Sequence, residues 1–178
     1  ISVQPTNMGM PTVSIYVNEL LANFGVKRLI RVGTCGSFQE DLPLGSLILA
    51  QGACSDSGMN IPRFPPGGTF APVANWRLLS QAYQMAVAMS LKVAVGNILS
   101  TDTFYQENPD AWKTWAKYGV LGVEMESAEL YTLAAKYGVE ALSILTVSDS
   151  LVTGAQMTPE ERERSVAPMV KLALTLAD

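Results

Sequence analysis

The sequence predicts one α/β domain, with a mostly parallel, mixed central β-sheet flanked by helices. Three observations predict it. Apolar runs alternate with helix-spaced segments along the chain, the order that builds strand–helix–strand units. The runs at residues 27–32, 46–54, 91–99 and 140–147 are apolar nearly throughout, as strands are when helices cover both faces. The composition is core-rich: 48% hydrophobic and 16% charged over 178 residues, enough for one core and too apolar for disorder.

Each element has a local reason. Residues 1–4 read as a short strand, so the sequence is expected to continue something longer. Pro11 suits the first turn of a helix, because its missing N–H is not needed there. Val13, Ile15, Tyr16, Leu20, Leu21 and Phe24 follow at near-helical spacing, and Gly25 suits the stop. KRLIRV at 27–32 is a buried strand, expected to end in a loop at 33–37. A second strand at 46–54 leads into a Gly-, Pro- and Ser-rich excursion at 55–73. Asn75 caps a helix reaching about Met89. A strand at 91–99, a loop at 100–109 and a short helix at 110–118 follow, the helix ended by Gly119. Residues 120–124 form a strand and 127–137 a helix stopped by Gly138. The strand at 140–147 precedes Thr158-Pro159-Glu160-Glu161, a strong helix start. That last helix is expected to run close to Ala177.

Composition also excludes chemistries. Lys and Arg number 12 against 16 Asp and Glu, so a basic nucleic-acid groove is not expected. There is no histidine, which removes Ser-His-Asp triads, Cys-His dyads and His-ligated zinc. Two cysteines, Cys35 and Cys54, form no metal spacing and no disulfide framework. No apolar run approaches the roughly 20 residues of a membrane span. A reduced, cytoplasmic protein with no metal and no organic cofactor is the expectation.

Three strand ends carry the candidate chemistry. Arg31-Val32-Gly33-Thr34 offers a guanidinium, backbone N–H groups and a hydroxyl. These are either the parts of an anion site or a tight turn beside an arginine with a structural carboxylate. Glu124-Met125-Glu126 puts two carboxylates at a strand end, either to accept from a vicinal diol, or as a solvated acidic strand end, or to cap the next helix. Asp149, in Ser148-Asp149-Ser150, is either a site acid at the sheet's mouth or a turn former. Arg162 on the following helix is within reach of a pairing. Phe104-Tyr105 offer an aromatic face or a hydrophobic anchor; Met8 and Met125 read first as core.

Five segments then carry a resemblance: NMGMPTVSIYVNEL, LIRVGTCGS, STDTFY, GVEMESAELY and TVSDS. In this order and spacing the chain resembles the nucleoside phosphorylase-I family, and most closely its bacterial hexameric purine nucleoside phosphorylases. The resemblance implies reversible phosphorolysis of purine (2′-deoxy)ribonucleosides, in purine salvage, with inorganic phosphate as co-substrate. It implies phosphate binding by Arg31, Gly33 and Thr34, and ribose binding by Met8, Met125 and Glu126. Phe104, Val123 and Glu124 would line the base. Asp149 would be the general acid at purine N7, assisted by Arg162 from a mobile helix. A homohexamer, a trimer of dimers, is implied as well. The family carries further N-terminal residues that contribute to its phosphate site, so residues 1–178 would be an N-terminally incomplete phosphorylase domain. Asn7 stands where the family's loop has a glycine, and asparagine tolerates left-handed backbone better than most residues. Three alternatives stay open. Two are enzymes of the same fold, a uridine phosphorylase and a methylthioadenosine or adenosylhomocysteine nucleosidase. The third is a non-catalytic nucleoside-binding subunit.

Overall fold

The computed structural model describes residues 1–176. Five strands form a closed barrel in the order β1–β4–β3–β2–β5. They are β1 (Arg28–Ser37), β2 (Leu47–Ser55), β3 (Val93–Ser100), β4 (Gly122–Glu124) and β5 (Glu140–Ser150). The pairs β1–β5, β2–β3 and β3–β4 are parallel; β1–β4 and β2–β5 are antiparallel. The mixed sheet flanked by helices is as expected. Its closure is new, and it rests on the three-residue strand β4, which bridges the C-terminal ends of β1 and β3.

The helices are α1 (Met10–Phe24), α2 (Trp76–Ala88), α3 (Trp112–Lys117), α4 (Ser127–Tyr137), α5 (Pro159–Ser165) and α6 (Ala167–Thr175). Alternate strand residues feed two apolar clusters. Leu47, Leu49, Leu142 and Ile144 pack with Leu78, Ala82, Met169 and Leu172 of α2 and α6. Ile48, Ala50, Leu145 and Val147 join the cluster containing α1 and α4. Both faces of the strands are therefore dry, which explains why their sequences lack polar alternation. Helix α1 buries Met10, Val13, Val17 and Leu21, a spacing of three and four that makes one stripe. It ends at Gly25 with φ 62°, a left-handed stop that costs glycine no steric strain.

Three local expectations are corrected. Residues 1–4 form no strand; Ile1 and Val3 are exposed, and none of the sheet's pairings includes them. Residues 33–37 are not a loop. They continue β1 in register with β5, from Gly33 opposite Leu145 to Ser37 opposite Ser150, because a long parallel partner supplies the ladder for their backbone groups. The last helix is two: α5 ends at Ser165, and Pro168 sits in the first turn of α6. Proline lacks the N–H and clashes with the preceding turn, so it starts a new helix. The expected end near Ala177 lies outside the described residues.

Candidate active site at the strand ends

Arg31 lies on β1, and the guanidinium folds over Gly33. A Cβ at Gly33 would stand 2.5 Å from Arg31 Nη1, so glycine there makes room for the arginine. Nη2 donates to Glu126 Oε2, and Nη1 lies 3.3 Å from Glu124 Oε2. That Nη1 is buried yet has no hydrogen-bond partner among the described residues. Burial works against the Arg31 charge, but the Glu124 and Glu126 carboxylates more than offset it and hold its pKa above the ordinary value. The cluster thus holds a fixed cation with one buried nitrogen that makes no hydrogen bond among the described residues. Thr34, three residues on, is half-buried in the same strand.

Glu124 ends β4 and anchors the start of α4. Its carboxylate accepts from the backbone N–H of Glu126 and Ser127 at 3.0 Å and from Ser127 Oγ at 2.9 Å. Ser100 Oγ donates to it as well. The positive end of a helix favours a carboxylate there. Ser100 also accepts from the Ala128 N–H at 2.9 Å, and Ser127 Oγ bonds Ser143 Oγ at 2.7 Å. The capping reading of Glu124 is therefore realised in full, by partners that no local motif announces.

Glu126 takes a different set. Its Oε1 accepts from the Gly9 N–H at 2.6 Å, while Oε2 faces Arg31. This pins the loop before α1 to the start of α4. The loop needs two positive backbone angles, at Asn7 (φ 54°) and Gly9 (φ 94°); Asn7 does adopt the left-handed conformation expected of it. Met8 between them is exposed, and Met125 and Val123 are half-buried.

Asp149 lies within β5, which runs on to Ser150. A bulge makes its position. Cys35 pairs with Val147 but Gly36 pairs with Asp149, so Ser148 is the extra residue, and such an irregularity re-aims the side chains around it. Ser148 Oγ donates to Asp149 Oδ1 at 2.9 Å. A Cβ at Gly36 would lie 2.7 Å from Asp149 Oδ2, so Gly36 leaves the carboxylate its space. Gly36 and Ser148 are site residues that sequence reasoning missed; a glycine inside an apolar strand was the available signal.

Two expected members stand apart. Arg162 is exposed on α5 and forms no ion pair with Asp149 among the described residues. Phe104 is exposed in the loop after β3 and meets Tyr105 edge-on, centroids 5.1 Å apart. The two clefts found lie elsewhere: one of about 360 Å³ beside α5, and one of about 460 Å³ under the 55–73 excursion. Neither cysteine is a nucleophile in waiting. Burial pushes the Cys35 thiol far up, aided by Glu124 and Asp149, and burial raises Cys54 too.

The cluster sets an arginine of β1 between two carboxylates, with the bulged end of β5 presenting a third. The model of the phosphorylase superfamily matches residues 1–177, and the chain belongs to that superfamily. Among curated relatives, it is 56% identical to a protein of Caldanaerobacter subterraneus subsp. tengcongensis named purine nucleoside phosphorylase DeoD-type, over 99% of this chain and 76% of the relative. It is 57% identical to the protein of that name from Alkaliphilus metalliredigens, over 100% of this chain and 76% of the relative. For the Bacillus cereus protein of that name the identity is 54%, over 99% and 75%.

Proposed function

We propose that this chain carries the active site of a purine nucleoside phosphorylase, a pentosyltransferase that cleaves purine (2′-deoxy)ribonucleosides with inorganic phosphate. The observation that carries this reading is the Arg31 guanidinium, held between Glu124 and Glu126 with a buried Nη1 that ion-pairs with Glu124 but makes no hydrogen bond among the described residues. Such a donor on a fixed cation suits a phosphate oxygen, and a hydrolase has no use for it.

Phosphate is bound by Arg31 and the Thr34 hydroxyl, beside Gly33. Glu126 accepts from the ribose 2′- and 3′-hydroxyls, exchanging its ligand-free partners for them, and Met8 and Met125 flank the sugar. Val123 and Phe104 line the base on the side of Glu124. As the N-glycosidic bond breaks, positive charge develops on the sugar and negative charge on the purine. The phosphate dianion stabilises the first and attacks C1′. A proton from Asp149 to N7 neutralises the second. Arg162 approaches Asp149 when α5 moves. The same reading makes the protein a cytoplasmic homohexamer that uses neither metal nor organic cofactor. No helix of the described residues is long and apolar enough to cross a membrane.

The test is inosine cleavage with phosphate present and with phosphate omitted, identifying the sugar product. Ribose 1-phosphate formed only with phosphate is the expected result. Free ribose in both would make it a nucleosidase, and uridine as the better substrate would move it to the pyrimidine branch.

A further inference from the structure

Glu129 is a fully buried carboxylate that the reaction does not use. It sits on α4, three residues after Glu126, on the same helical turn. Its partner comes from the 55–73 excursion. Arg63, in a 3-10 turn at Ile61–Arg63, donates Nη1 to Oε2 at 2.9 Å and Nη2 to Oε1 at 2.7 Å. This is a two-pronged pair with the carboxylate dry and the arginine at the surface. The start of the excursion makes a second attachment. Asp56 Oδ2 accepts from Thr101 Oγ1 at 2.8 Å. That hydroxyl in turn accepts from the Thr103 N–H at 3.2 Å and from Gln106 Nε2 at 3.4 Å. The loop carrying Phe104 is thus wound around a side chain that Asp56 holds.

We propose that residues 55–63 are a positioning strap, in which Arg63 acts through Glu129 to set Glu126, and Asp56 acts through Thr101 to set the Phe104 loop. The inference rests on the function proposed above. Its physical basis is the poor return of a buried ion pair as a stabiliser. Desolvation cancels most of the attraction, and an apolar pair of similar volume serves the fold as well or better. What the two-pronged pair supplies is a fixed distance and angle. Helix α4 is held at its first residues by Glu124 and Arg31. Within the same turn Arg63 holds it through Glu129. Between the two lies the carboxylate assigned to the ribose.

The experiment compares Arg63→Met, Glu129→Leu and the double variant with the parent protein. Either single change unbalances the pair, and Arg63→Met leaves a charge buried without a partner, so the singles lower Tm. The double variant recovers Tm. Its inosine KM is nevertheless expected to rise roughly 10- to 100-fold, the usual cost of an ångström-scale misplacement. The phosphate KM is expected to move less than about twofold, because Arg31 keeps Glu124. Amide exchange should accelerate at residues 126–129 in the double variant, and at residues 101–106 when Asp56→Ala removes the other attachment. A double variant with parental inosine KM and parental exchange overturns the strap, and so does an equal rise in both KM values. The exchange arm needs no turnover. If the parent protein cleaves no inosine, the phosphorylase reading fails on its own, and unchanged exchange in the double variant still refutes the strap.

Discussion

Arg28 and Arg31 stand three residues apart on β1, and each meets carboxylates, but the two clusters are built differently. Arg28 donates Nε to Glu140 Oε2 at 2.9 Å and Nη1 to the Leu176 carbonyl. Arg77 of α2 takes the other oxygen of Glu140. The arginines are partly solvated, and their hydrogen bonds tie β1, β5, α2 and the end of α6 at the barrel's base. Arg31 is deeper, faces two buried carboxylates, and keeps a dry Nη1 that ion-pairs with Glu124 at 3.3 Å but makes no hydrogen bond among the described residues. A structural cluster can leave its spare donors to water. A cluster that hides a donor from water without bonding it spends stability on readiness for a ligand. The difference separates a staple from a site on one strand.

The largest expected effect lies at the site. Asp149→Asn should lower phosphorolysis of inosine by about 10²–10⁴-fold, the range of a lost general acid. 7-Methylguanosine, whose base leaves without a proton at N7, should be nearly spared. Equal loss on both substrates removes Asp149 from that role. Next comes the anion. Arg31→Met should cost about 10²–10³-fold in kcat/KM for phosphate, whereas Arg28→Met should leave phosphate kinetics unchanged. Phosphate saturation curves for the two variants break the comparison if they coincide.

Smaller effects fall on stability. Ser127→Ala strips Glu124 and Ser143 of a shared hydroxyl and should cost about 1–3 kcal/mol in urea unfolding, as buried groups left unpaired do. The smallest effect belongs to the base. Hydrogen bonding from Arg77, aided by that from Arg28 and by both charges against a lesser desolvation cost, holds Glu140 below its ordinary value of 4.5. A lowered carboxylate contributes stability above its unfolded value and loses it as the pH falls through the folded one. Glu140→Gln should therefore lower stability by about 0.2–1 kcal/mol at pH 7. The gap from the parent should close as the pH drops below 4.5, and activity should not change. A gap that widens in acid would place the glutamate in a different environment.

Much of this was legible. The strand runs, the Asn75 cap on Leu78, the Gly25 and Gly138 stops and the Thr158–Glu161 capping box all form as local chemistry dictates. Long apolar runs and caps are decided within a few residues. The differences have two separate causes. Residues 33–37 look like a loop because Gly33 and Gly36 are weak strand formers; a parallel partner in β5 overrides that preference. The break in the last helix at Pro168 is a local effect of the proline itself.

The sequence by itself determined the α/β class, the positions of Glu124, Glu126 and Asp149 near strand ends, and the lack of histidine among these 178 residues. Those follow from residue types and short-range periodicity, whereas the end of β1, beyond Arg31, was misplaced. Tertiary structure alone decided that both carboxylates face the arginine while Glu124 also anchors the start of α4 and Glu126 the Gly9 loop. It also decided that Gly33 and Gly36 clear space for Arg31 and Asp149, and that Arg63 reaches Glu129 across 66 residues of chain. These are relations between segments distant in sequence. They exist only once barrel closure brings β1, β3, β4 and β5 together, since a side chain's partner is set by packing and its type is set by the chain.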